Sequence, residues 1–359
     1  MELQQLRIND VRLIERLELE LGAGWNFFVG PNGAGKTSIL EATYLLSHGR
    51  SFRTGAKEAL VRGGAAGYSV FGRLRRADGS VDRVGVARNG NRLEARHDGD
   101  LVTMGDLLHR AAVLCFEPGS HELISGASDL RRRFIDWGVF HVEQDFLGQW
   151  RRYQRALKQR NALLRGDASD GELDVWDHEL ALAAEPLTEL RTRYCAQLRP
   201  ILAAQLHDLL SELGAPDFEF HPGFDPGQPL LSVLAGRRGR DRARGYTSAG
   251  PHRSDWSLTF EGAPRREYLS RGQEKLCAFA CVMAQARLFA EISGEWPIIG
   301  LDDIASELDV EHQERIFATV HATRAQILAT GTELPAAFSA LDAKAALFHV
   351  EQGRVTALL

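Results

Sequence analysis

Three glycines and a lysine stand between an apolar run, Trp25 to Val29, and a helical pattern from Lys36 to Ser47: Gly30-Pro31-Asn32-Gly33-Ala34-Gly35-Lys36-Thr37-Ser38. The spacing G-x-x-x-x-G-K-[ST] at a strand-to-helix turn predicts a phosphate loop. Glycines let the backbone wrap closely round an anion, which meets free N–H groups and the positive end of the helix dipole. In such a loop Lys36 contacts the outer phosphates and the Thr37 hydroxyl ligates Mg²⁺, so the expected ligands are ATP and Mg²⁺.

The rest of the chain is read around that turn. Its 359 residues, 44% of them hydrophobic, suffice for a large α/β core and a second lobe. Met1 to Leu21 mixes charged residues throughout, unlike a signal peptide, and no 18 apolar residues run together, so no membrane span or membrane partner is expected. Cys115, Cys195, Cys277 and Cys281 lack paired C-x-x-C spacing and fit packing in a reducing cytoplasm. A net charge of −5 leaves any nucleic-acid contact to a local basic face.

Periodicity predicts strands around Leu3–Ile8, Leu17–Leu21 and Trp25–Val29, then a helix ending near Gly49. Val70–Arg76 and Val81–Arg88 flank an Asp78-Gly79 turn, Asn89-Gly90 marks another, and Ala111–Phe116 has the composition of a buried strand. Apolar residues then recur at spacings of 3 and 4 from Phe146 to Leu157 and from Trp176 to Leu209, which predicts two antiparallel helices. Pro186 and Pro200 predict kinks or breaks in the second. Gly214 to Gly245, rich in Pro, Gly and Arg, is expected to be a loop-rich return. Alternating elements resume afterwards: strands near 256–260, 298–301, 326–329 and after Leu347, and helices near 273–291 and 310–321.

Two further motifs carry chemistry. Ile298-Ile299-Gly300-Leu301-Asp302-Asp303 ends an apolar strand in two carboxylates, which are costly to bury unless paired or metal-bound. Asp302 is expected to hold Mg²⁺, directly or through water, and Asp303 to orient or deprotonate the attacking water. Helix capping is the plainer alternative for this pair. Tyr268-Leu269-Ser270-Arg271-Gly272-Gln273, just before a helix, resembles the L-S-G-G-Q signature of ABC-type ATPases. That resemblance implies that Ser270, Arg271, Gly272 and Gln273 complete the nucleotide site of a second copy, making ATP the link of a homodimer. Ser306-Glu307-Leu308-Asp309 is similar to the family's D-loop, which places Asp309 near the dimer seam. Thr330-Gly331-Thr332 stands where many such ATPases carry a switch histidine, and Phe116-Glu117-Pro118 occupies the region of the Q-loop glutamine. With Asp where the family often has Glu, slow turnover is expected.

Lys36 and Ser270 lie far apart in sequence, and the helical insert between them resembles the split head of the SMC class. The short hairpin resembles the RecF family in particular. Arg7-Ile8-Asn9-Asp10-Val11-Arg12 looks like that family's opening strand and arginine, implying a nucleotide contact for Arg12. Gly49-Arg50-Ser51-Phe52-Arg53-Thr54, Gly250-Pro251-His252-Arg253-Ser254-Asp255, the stretch from Glu117 to Asp136 and the segment Asp303 to Asp309 resemble further family motifs, with departures at Gly119, Ser128 and Gly300. The implied fold is an ABC-type α/β ATPase head, residues 1–116 and 246–359, carrying an inserted helical lobe, 117–245. The implied activity is a weak, DNA-stimulated ATPase of recombinational repair. It would bind double-stranded and gapped DNA in the cytoplasm and act with RecR and RecO to load RecA. Candidate DNA contacts are Arg50, Arg53, Arg73, Arg75, Arg76 and Arg131, Arg132 and Arg133, with further basic groups at 151–160 and 237–244. A structural SMC-like clamp and a transporter-coupling ATPase remain alternatives at this point.

Overall fold

The computed structural model describes residues 1–53, 60–304, 308–341 and 343–358. Contacts divide the chain into two compact units, Met1–Ser120 with Ala278–Leu359, and His121–Cys277.

The first unit holds two six-stranded sheets. One is antiparallel, with order β2-β1-β4-β5-β6-β7, built from β1 (Glu2–Val11), β2 (Ile14–Glu20), β4 (Gly67–Arg75), β5 (Val81–Asn89), β6 (Arg92–His97) and β7 (Asp100–Val102). The other has order β14-β13-β3-β12-β11-β8: β3 (Trp25–Val29), β8 (Val113–Phe116), β11 (Ile298–Leu301), β12 (Ile327–Gly331), β13 (Ala345–Glu351) and β14 (Arg354–Leu358). All its pairings are parallel except β13 with β14. β3 and β11 are apolar and nearly or wholly buried along their length, the pattern of parallel strands covered on both faces. Under β3, Trp25 and Phe27 stack at 5.5 Å, and Phe338 lies 4.5 Å from Phe27 between ring centroids.

Helix α1 (Lys36–His48) touches strands of both sheets, which is why even Glu41 and Thr43 on it are buried. Gly49 terminates it, as the sequence predicts. A short helix α2 (Met104–Leu108) follows the hairpins. β11 owes one odd residue to its neighbour: a Cβ at Gly300 would sit 2.6 Å from Cys115 Sγ on β8, so glycine here and cysteine there are one packing solution.

The second unit contains α3 (Glu122–Ser125), α4 (Ser128–Val142), α5 (Phe146–Leu164), α6 (Asp170–Leu209), α7 (Leu230–Arg244) and the antiparallel pair β9 (Pro216–His221) and β10 (Asp255–Phe260). α5 and α6 pack together as a hairpin, and a reciprocal Ser169–Glu172 capping box starts α6. Two expectations fail here. α6 is one continuous helix through Pro186 and Pro200; Pro186 is half-buried and Pro200 exposed, and Leu182 and Ala196, whose carbonyls lose their partners, are exposed to water. Buried apolar residues on the other side hold the helix together. The Gly214–Gly245 segment keeps a loop only over 222–229: β9 forms because β10 offers an edge, and α7 because Leu230, Val233 and Leu234 bury against their surroundings. Of its arginines, which read as a polar return, Arg240 and Arg244 are exposed, whereas Arg238 is half-buried and pairs with Asp174 and Asp177 of α6. Because β10 pairs with β9, residues 246–277 fall in the second unit, whereas the sequence reading groups them with the head.

α8 (Arg271–Ser293) is long and apolar enough to cross a membrane by composition, but 72% of its most apolar window is buried, as in a core helix.

Candidate nucleotide site

The glycine loop opens a cavity of about 390 Å³, lined by Arg12, Leu13, Asn32, Gly33, Ala34, Gly35, Lys36, Thr37, Ser38, Arg53, Pro118, Asp302, Asp303 and Thr330, all in the first unit. Three strand ends deliver it. β3 leads into the loop, β11 ends one residue before Asp302, and β12 carries Thr330 beside it. Gly35 caps α1 with φ 106°, a conformation that a side chain resists.

Lys36 is buried, and its ammonium donates to the carbonyls of Gly30 at 2.7 Å and Pro31 at 3.0 Å. Burial lowers its pKa, against the pull of Asp303 and Asp302. Asp302 is only 4% exposed. One of its oxygens accepts from Thr37 Oγ1 at 2.9 Å and from Thr330 Oγ1 at 2.7 Å. Burial raises its pKa, while the two hydroxyls oppose the shift. Asp303 follows with φ 50°, strained for a non-glycine, and its N–H donates to Thr330 Oγ1 at 3.1 Å. Lys36 and Asp302 are thus buried charges whose hydrogen-bond partners are mainly neutral groups, a state that favours an incoming charged ligand.

The side-chain donors to Asp302 are hydroxyls, those of Thr37 and Thr330, and the carboxylate of Asp303 is its neighbour in the chain. Hard divalent cations such as Mg²⁺ take such donors, so these residues fit the metal. Arg12 and Arg53 add positive charge to the wall.

The other sequence candidates are placed differently. Gly30 and Pro31 serve through their carbonyls on Lys36. Ser270 is exposed at the start of α8 and trades bonds with Gln273: Gln273 N donates to Ser270 Oγ, and Ser270 N to Gln273 Oε1. Arg271 and Gly272 are exposed beside it. Asp309 caps the helix Val310–His321, accepting from His312 N at 3.0 Å, and that bond lowers its pKa. Ser306, Glu307 and Thr54 lie outside the described residues.

Two candidate DNA contacts are corrected by their burial and bonding. Arg131 is a core residue whose fork grips both oxygens of Asp255, at 2.6 and 3.0 Å. Arg76 is half-buried and spans Asp82 and Glu295. Arg73 reaches Glu20 at 3.5 Å, and Arg133 pairs with Asp129. Arg50, Arg53 and Arg75 are exposed, and Arg132 donates to Ser128 Oγ and Ser254 O. Leu13 was missed as a site residue, and Thr330 and Pro118 were noted only as occupying the places of the switch histidine and the Q-loop. Only Thr330 had a legible signal, a hydroxyl directly after an apolar strand.

A family profile, the RecF/RecN/SMC N terminal domain, matches residues 2–356. The DNA replication and repair protein RecF of Stenotrophomonas maltophilia (strain R551-3) is 47% identical, covering 100% of both chains. The chain belongs to the RecF family. The RecF protein of Xanthomonas euvesicatoria pv. vesicatoria is 46% identical over 99% of this chain and 98% of its own. Among solved structures, the recombination mediator protein RecF with ATPrS, of the RecFOR pathway, superposes with a TM-score of 0.88 at 24% identity, covering 100% of this chain and 98% of that one. An SMC head bound to the C-terminal winged-helix domain of ScpA gives 0.61 at 14% identity, covering 100% and 98%. The RecF fold is therefore that of an ABC/SMC-type ATPase head with an inserted helical lobe, as the motifs implied.

Proposed function

We propose that this RecF-family chain is an ATP-gated DNA clamp of recombinational repair. ATP occupies the glycine-loop cavity, with Lys36 and the loop N–H groups on its phosphates. Thr37 and Asp302 hold Mg²⁺, which neutralises phosphate charge when bound. Asp303 orients the water, and hydrolysis is slow and stimulated by DNA. Ser270 to Gln273 and Asp309 of a second copy complete the site, so ATP joins two molecules over duplex or gapped DNA and hydrolysis releases them. Exposed arginines, among them Arg50 and Arg75, neutralise backbone phosphates without reading sequence. In the cytoplasm, RecR and RecO are the partners through which RecA is loaded at gaps, within the response to DNA damage.

The observation that carries the reading is the pair of buried charges, Lys36 and Asp302, at one loop. Sedimentation with and without ATP and gapped DNA tests it. Lys36→Ala should weaken ATP binding by about 100-fold, the scale of losing a buried charge-assisted contact. Ser270→Arg should bind ATP as a monomer yet form no dimer. Normal ATP-induced dimers of the Ser270→Arg protein would count against a shared site.

A further inference from the structure

Glu41 takes no place in the reading above, yet it is a carboxylate on α1 with 0% exposure. A buried carboxylate is costly unless its oxygens are satisfied. Here Oε1 accepts from Arg12 Nη2 at 2.8 Å and Oε2 from Arg12 Nε at 2.9 Å, a two-pronged grip. Oε1 also accepts from Ser51 Oγ, and Ser51 Oγ in turn accepts from Arg53 N at 2.9 Å. A single buried acid therefore ties together two separate segments, each of which sends an arginine to the cavity wall, Arg12 and Arg53.

Two features separate this pair from one that merely stabilises the core. Arg12 is only partly covered, with 23% of its side chain exposed, and it lines the cavity. Its backbone is also held at φ 55°, a conformation a non-glycine residue adopts at a cost, with its N–H donating to Leu60 O at 2.9 Å. That φ is what the two-residue turn joining Val11 to Ile14 requires, and the turn places Arg12 at the cavity wall.

We infer that Glu41 is a positioning residue: it sets Arg12 and, through Ser51, the turn bearing Arg53, so that both guanidinium groups are in place before a polyphosphate enters. Preorganised donors bind an anion more tightly because less ordering remains to be done on binding. The inference rests on the cavity being the nucleotide site.

The test is a double-mutant cycle on the full chain, with a fluorescent ATP analogue as probe and thermal melting alongside. Glu41→Gln, which keeps the shape and removes the charge, should weaken binding by about tenfold, the scale of one charge-assisted grip. In an Arg12→Ala background the same change should cost no further affinity, since the group it positions is gone. A purely structural role predicts instead an equal loss in both backgrounds, and that result, or unchanged affinity of Glu41→Gln, overturns the inference. Should Glu41→Gln fail to fold, Ser51→Ala leaves the Arg12 grip intact and should weaken binding by about threefold with an unchanged melting temperature. Wild-type affinity there overturns the inference as well. Lys36→Ala is the control for the site: if it binds the probe as the wild type does, the nucleotide reading has failed, and this inference with it.

Discussion

At the phosphate loop of the first unit and in the second unit, buried charge is held in opposite ways. In the second unit, buried arginines are matched with carboxylates. Arg160, with no exposed surface, bonds Asp177 at 2.5 Å and Asp241 at 2.8 Å, and also Thr247. Arg191 grips both oxygens of Asp136, at 2.7 and 2.9 Å. Arg131 does the same with Asp255. In the first unit's cavity, Lys36 bonds to two carbonyls and Asp302 to two hydroxyls. Matched charges tie helices together, whereas charges bonded mainly to neutral groups retain their attraction for a ligand. The lesson is that burial of an ionisable residue does not identify its role; the identity of its partners does.

The contrast is most open to attack at Arg160. Arg160→Met leaves Asp177 and Asp241 short of a partner and should cost about 3–5 kcal/mol in chemical denaturation, as breaking buried ion pairs does. Adding Asp241→Asn should recover part of it. A loss below the surface-substitution range would mean that the cluster is not structural.

Next is His252, whose Nδ1 lies 2.6 Å from the Tyr153 hydroxyl and whose Nε2 lies 2.9 Å from Thr247 O. Burial pushes its pKa down from 6.5 to about 4. The folded protein thus keeps this ring neutral while the unfolded chain takes up a proton. Its contribution is present above pH 6.5 and is lost as pH falls toward 4, amounting to about 3 kcal/mol across the window. Urea titrations at neutral pH and near pH 4.5 should show the wild type losing more than His252→Gln; parallel losses would remove His252 from the cause.

The smallest effect is expected at Asp302 and has the opposite sign. Its raised pKa means that the ionised form is disfavoured by folding. That penalty is absent in acid and grows as pH rises through the folded-state pKa. Asp302→Asn should therefore stabilise the chain at neutral pH by about 1 kcal/mol, the usual gain from relieving a functional strain. The advantage should vanish in acid, while hydrolysis is lost. A destabilised Asp302→Asn protein would show that the carboxylate is structural after all, and would erase the contrast between the units.

How much of this was legible in the residues varies by region. The glycine loop, the strand before it and the helix after it were readable because local spacing alone specifies them, and the ends of α1 and of the helix Val310–His321 match the expectation closely. Asp302 was found because two carboxylates on an apolar strand demand an explanation. Thr330 was legible only as a hydroxyl after an apolar strand, with no role attached to it, and Glu41 was not found, since a glutamate in a helix carries no local oddity. Arg76 and Arg131 read as surface cations for the same reason: a basic run looks alike whether it faces water or a carboxylate more than a hundred residues away in sequence, Glu295 for Arg76 and Asp255 for Arg131.

The sequence by itself determined the fold class, the phosphate loop and the family, because these depend on spacing within short segments and on periodic burial. Tertiary structure alone decided that Gly214–Gly245 folds as β9 and α7, and that α6 survives two prolines. It also decided which arginines are spent inside the second unit. Each of those outcomes turns on which partner arrives from a distant part of the chain, and no local pattern records the arrival of an edge strand or a carboxylate.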